Sequence, residues 1–148
     1  MAGITLKKGL EPFEIYFEDA DVTETIYFNP SDSNLPKRLI ECRALIEEKS
    51  KKIKPYEKNG DGTPADADGA LEYLNETNSV VYDALDYAFG NKVSDTIFKH
   101  CGPFSVIDGG YYILNFLDAV APELEKLIKA HQKSANTKAE KYLKKYGR

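Results

Sequence analysis

Glu57, Asn59, Asp61, Thr63 and Asp68 stand at positions 1, 3, 5, 7 and 12 of a polar loop whose sixth position is Gly62, the spacing at which an EF-hand holds calcium. The chemistry fits poorly. Position 1 is Glu instead of Asp, position 8 is Pro64 instead of an aliphatic residue, and position 12 is the shorter Asp68. A polar loop without a metal is the better reading. His100 and Cys101 are adjacent, but neighbours on a helix point about 100° apart, so they do not form a nucleophile and base pair. His131 lies among apolar positions without a second ligand beside it. Asp108-Gly109-Gly110 lacks the preceding strand and following lysine of a phosphate loop and reads more simply as the approach to a helix. Asn75-Glu76-Thr77 matches a glycosylation acceptor, which acts only in a secreted chain. No set of residues here makes a catalytic constellation, and the sequence predicts neither an enzyme nor a cofactor or metal site.

The elements that would carry these residues are organised around positions 85 to 121, the densest apolar stretch. Leu85 to Phe89 close a helix that Gly90 stops, since glycine takes a left-handed cap without a Cβ penalty. Asn91 is placed to cap a second helix in which Val93, Ile97 and Cys101 recur at helical spacing until Gly102-Pro103. Tyr112, Ile113, Phe116, Leu117, Val120 and Ala121 then resume the 3.6-residue period.

Before this centre, Phe13, Ile15 and Phe17 alternate with polar residues, and Ile26 and Phe28 do so across Asp19-Ala20-Asp21, predicting a β-hairpin to which Ile4 to Leu6 could add a strand. Pro36 opens a helix striped by Leu35, Leu39, Cys42, Ile46 and Ile53, which stops before Pro55. Asp66 or Asp68 caps the next, with Leu71, Leu74, Val81, Leu85 and Ala88 inward and a second row at Tyr73, Val80, Ala84 and Tyr87. Pro122 is expected to open a last helix striped by Leu124, Ile128, His131, Ala135, Ala139, Tyr142 and Tyr146, with a break near Ser134 to Asn136 where Thr137 begins a capping box.

The predicted fold is α+β and mainly helical: an N-terminal β-hairpin, then a bundle of about five helices. Residues 1–125 form one globular domain and residues 126–148 a basic amphipathic C-terminal helix or tail. No window nears the roughly 20 apolar residues of a membrane span, and no apolar run follows the first lysines as in a signal peptide, so a cytoplasmic location is expected. Cys42 and Cys101 sit beside apolar neighbours and read as buried free thiols. The net charge of -4 hides an asymmetry. Residues 126–148 carry eight Lys or Arg against Glu140 alone, while the preceding 125 carry 12 basic and 23 acidic side chains. Such a chain can bind in trans as readily as fold back on itself.

Phe89-Gly90-Asn91, Ser94-Asp95-Thr96-Ile97-Phe98, Gly102-Pro103 with Asp108-Gly109, Asn115-Phe116-Leu117 and Ala121-Pro122 together form a pattern of short elements, strongest from Tyr82 to Leu124. In this pattern the chain resembles the small tail assembly chaperones of long-tailed bacteriophages and prophages of Gram-positive bacteria. The resemblance implies a non-enzymatic protein of the bacterial host's cytoplasm that binds the helical tape measure protein, keeps it soluble, helps recruit tail tube subunits, and is absent from the mature virion. It brings no active-site residues and no cofactor. On the physical reading, the partner surface falls on Tyr73, Val80 and Tyr87 and on the C-terminal seam at Leu124, Ile128, Tyr142 and Tyr146, with intramolecular packing as the competing role for each. Free hairpin edges and the amphipathic tail make a homo-oligomer the companion expectation. The alternative function is a phage nucleic-acid-binding or regulatory protein using the basic C-terminal helix, against which stands the acidity of the whole chain.

Overall fold

The alternation of Phe13, Ile15 and Phe17 with exposed neighbours places one face of β1 (Glu11–Phe17) against the core, where it pairs antiparallel with β2 (Val22–Phe28) in the register Glu11↔Phe28 to Phe17↔Val22. Residues 2 to 146 are described by the computed structural model, with side chains through Lys145. Asp21, at φ 48°, completes the turn and accepts a hydrogen bond from the Tyr16 hydroxyl at 2.9 Å. Ile26 and Phe28 are buried. The expected third strand does not form: Ile4 and Leu6 lie in an irregular, exposed segment with no partner to pair it.

α1 (Leu35–Lys51) and α2 (Ala67–Phe89) follow, joined by the polar loop. Asp66 caps α2 by accepting from the Asp68 N–H at 3.1 Å. At the other end Gly90 adopts φ 66°, and its N–H bonds the Tyr87 carbonyl at 3.2 Å. Arg38 of α1 crosses to this end. Its Nε donates to the Ala88 carbonyl at 3.2 Å, and its Nη2 donates to Asp32 Oδ2 at 2.6 Å. Because Val81, Leu85, Ala88 and Phe89 are buried together, the second half of α2 is the centre of the fold.

The stretch after Gly90 departs from the predicted helix 91–101. Only Ser94–Ile97, α3, is helical, and the cap is Asp86 rather than Asn91. Asp86 Oδ1 accepts from the N–H groups of Val93 and Ser94, both at 2.8 Å, and Oδ2 from the Ser94 hydroxyl at 2.9 Å. Asn91 instead donates to the Tyr27 carbonyl at 2.8 Å, tying the loop to β2. Asp108-Gly109 is the turn of a small hairpin between β3 (Val106–Ile107) and β4 (Gly110–Tyr111). Both turn residues have positive φ, the pair of conformations that Asp-Gly supplies in a two-residue hairpin.

The last helix, α4 (Tyr112–Tyr146), runs 35 residues, about 52 Å at 1.5 Å per residue. It absorbs two expected breaks. Pro122 lies inside the helix on an exposed face, where water can serve the Asp118 carbonyl that its missing N–H leaves free. The capping box at Thr137 goes unused, since that hydroxyl bonds the Lys133 carbonyl of its own helix at 2.9 Å. The N–H groups of Tyr112 and Ile113 bond the carbonyls of Ser105 and Pro103, which fixes the start of the helix. Ile113, Val120 and Leu124 enter the core, and Phe116 meets Phe89 at 6.2 Å between ring centroids. Four helices and two small antiparallel hairpins make up the described α+β fold.

Two outcomes test this packing. Phe89 touches Phe28 at 5.1 Å and Phe116, so Phe89→Ala should lower unfolding free energy by about 3–5 kcal/mol in urea, while Tyr142→Ala should change it by less than about 0.5 kcal/mol. The Arg38 hydrogen bond, aided by the Asn34 N–H, holds the Asp32 carboxyl below its usual range. A lowered folded pKa stabilises above the unfolded value and is lost as pH falls through the folded one. Asp32→Asn should therefore start less stable at neutral pH and lose less than wild type below about pH 4.

Candidate functional site

Ile40 breaks the pattern of α1. It lies off the stripe that packs on α2 and is 79% exposed, although its neighbour Leu39 packs against the core. Across from it, Leu117, Ala121, Leu124 and Ile128 follow at helical spacing on α4, and the two helices leave between them an open groove of about 750 Å³. Leu124 is buried at its floor and Ile128 is half-buried along it. Arg43, Asp118, Glu125 and Lys129 edge the groove with two charges of each sign around an apolar floor, the mix of apolar lining and few polar groups common in ligand sites.

Beyond the groove, α4 leaves the body. His131 is tied back to β1, with Nε2 3.2 Å from Glu11 Oε2, and every residue from Gln132 to Lys145 is exposed. This segment covers about 21 Å of helix. It carries Lys133, Lys138, Lys141, Lys144 and Lys145 against Glu140, with Tyr142 and Leu143 64% and 63% exposed.

Six of the seven residues expected to meet a partner occupy three places. Tyr73, Val80 and Tyr87 lie along α2: Tyr73 packs edge-on against Tyr56 at 5.2 Å, Val80 lines an open cavity with Ile53, and the Tyr87 hydroxyl donates to Glu41 at 3.0 Å. Leu124 and Ile128 belong to the groove, and Tyr142 to the projecting end of α4. The side chain of Tyr146 lies outside the described residues. Sequence reasoning missed Ile40, whose signal was its isolation: a large β-branched residue on the polar side of a helix with an otherwise regular stripe.

The other candidates have local roles. Asp61 accepts from the N–H and hydroxyl of Thr63, Asn59 donates to the same hydroxyl, and Asp68 belongs to the first turn of α2. Among the described residues no three His, Cys, Asp or Glu side chains gather to hold a metal ion. His100 meets Phe17 at a tilt, with ring centroids 4.5 Å apart, and faces Glu24, which Lys99 also reaches at 2.7 Å. Thr77 is buried inside α2 and its hydroxyl bonds the carbonyls of Tyr73 and Leu74. No described helix is long and apolar enough to cross a membrane.

No protein-family model matches this sequence, and neither a curated protein nor a solved structure matches it.

The two thiols differ in environment. Burial raises Cys42 to about 11, whereas Cys101 is half-buried at the end of the short loop after α3. An aromatic disulfide reagent at pH 8 should label Cys101 first in the native protein and Cys42 only as the chain opens. Equal rates would contradict the packing of α1 on α2.

Proposed function

We propose that this chain is a non-enzymatic, helix-binding assembly chaperone, a tail assembly chaperone of a phage or prophage that holds the tape measure protein in the host cytoplasm and helps recruit tail tube subunits. The groove between α1 and α4 carries the reading. It is long, open and apolar at its floor, with Ile40 and Ile128 accessible along it and both signs of charge at its edges. An amphipathic helix laid there would bury an apolar stripe at i, i+3, i+4 and i+7 spacing against Leu117, Ala121, Leu124 and Ile128 while its polar side stayed in water. A tape measure protein offers many such stripes, which aggregate if left uncovered. Such a protein acts before the virion is complete and need not remain in it.

A second reading rests on the projecting segment alone, whose five lysines against one acid suit nucleic acid. Salt separates the two, because phosphate contacts release counterions and weaken steeply as salt rises, while apolar docking does not.

The test is co-expression with a phage tape measure protein, followed by co-purification at low and moderate salt. The partner should stay soluble and remain bound at moderate salt. Ile40→Glu should weaken that binding at least about tenfold and leave the stability of the free protein within about 0.5 kcal/mol, since Ile40 is 79% exposed. Recovery of nucleic acid alone, released by salt, would replace this reading with the second.

A further inference from the structure

The outer flank of α2 concentrates negative charge beyond what the helix needs. Glu57, Asp66, Asp68, Glu72 and Glu76 line one cleft of about 480 Å³ against a single basic residue, Lys54. Capping accounts for Asp66, and the helix dipole for Asp68 in the first turn. Glu57, Glu72 and Glu76 remain. Among the described residues no ion pair reaches any of the three. Asp68, Glu72 and Glu76 also follow at i, i+4 along one side of α2, the spacing at which like charges weaken a helix. The cleft wall is aromatic: Tyr73 packs on Tyr56, and Lys58 Nζ already lies 5.3 Å from the Tyr56 ring centroid. Carboxylates beside ring edges and faces make a surface suited to lysine.

The chain carries the complement to that surface. The projecting end of α4 has five lysines against Glu140, with Lys138 and Lys141 three positions apart and Tyr142 four after Lys138, so they share a side of the helix. α4 runs as one helix out past His131 with Lys138 and Lys141 exposed, which lets this side meet a neighbouring molecule.

We infer that the basic end of α4 in one copy docks into the acidic α2 cleft of a second copy, its lysines pairing with Glu72 and Glu76 and Tyr142 meeting the tyrosine wall. Each copy has one helix end and one cleft, so the contact is head-to-tail and either closes into a ring or continues as a chain of copies. The groove between α1 and α4 is not used and stays free for another ligand. The inference therefore stands or falls apart from the proposed function.

Sedimentation velocity of the full chain, freed of nucleic acid, tests it over a range of protein concentrations at about 0.05 M and about 0.5 M NaCl. Association should appear at the lower salt and fall away at the higher. E72K/E76K and K138E/K141E should each weaken association roughly tenfold or more, and one chain carrying all four substitutions should associate again. These side chains are exposed, and unchanged melting curves would show that each variant folds. Were a charge reversal to lower the melting point, the milder pairs E72Q/E76Q and K138Q/K141Q give the same reading with a smaller shift. A wild type that stays monomeric at low salt would overturn the inference. So would association indifferent to salt and to the reversals, or a fourfold variant that stays apart.

Discussion

The C-terminal turn of α2 is the constraint on which the rest of the structure depends. A helix end leaves four carbonyls without partners, and here that end lies in the core, where such groups are costly unless bonded. Arg38 reaches across from α1 to bond Ala88, and Gly90 turns the chain back so that its own N–H bonds Tyr87. Phe89 then stands between Phe28 of the hairpin and Phe116 of α4. One turn thereby fixes the relative placement of the β-hairpin, α1 and α4. Asp86, three residues before Phe89, extends this control by capping α3 and holding the chain that leads to the second hairpin.

Within that frame the molecule divides its charge and its apolar surface between different faces. The α1/α4 face is apolar with balanced charges, the α2 flank is acidic, and the end of α4 is basic. Apolar burial and screened Coulomb attraction respond differently to salt, so a ligand on the first face and one on the charged faces would be told apart by ionic strength.

Where one local pattern dominated, the sequence was legible. Alternation over 13 to 28 located the hairpin, and the cap at Asp66 and the stop at Gly90 bounded α2. The errors came where tertiary contacts outweighed local signals. Asn91 has the side chain of a cap, but Asp86 was near enough to do that work and β2 offered Asn91 a carbonyl. Pro122 resembled a helix start, yet exposure of that face made its missing hydrogen bond cheap. The Asp108-Gly109 pair did carry a hairpin signal, and the apolar run that followed drew attention to a helix instead. Half of the groove was visible in the stripe at Leu124 and Ile128. The other half was not, because no periodicity in α1 says which element its outer side will face.

The anchoring of α4 also gives its far end a mechanical character. The helix stays held past Pro122, since Leu124 is buried, Leu127 and Ile128 pack on the core and His131 reaches Glu11. The 14 residues from Gln132 to Lys145 beyond that hold form a lever of about 21 Å. A bend of about 10° at its root sweeps the far end through about 4 Å, so the end of α4 can adjust its reach without disturbing the packed half of the helix.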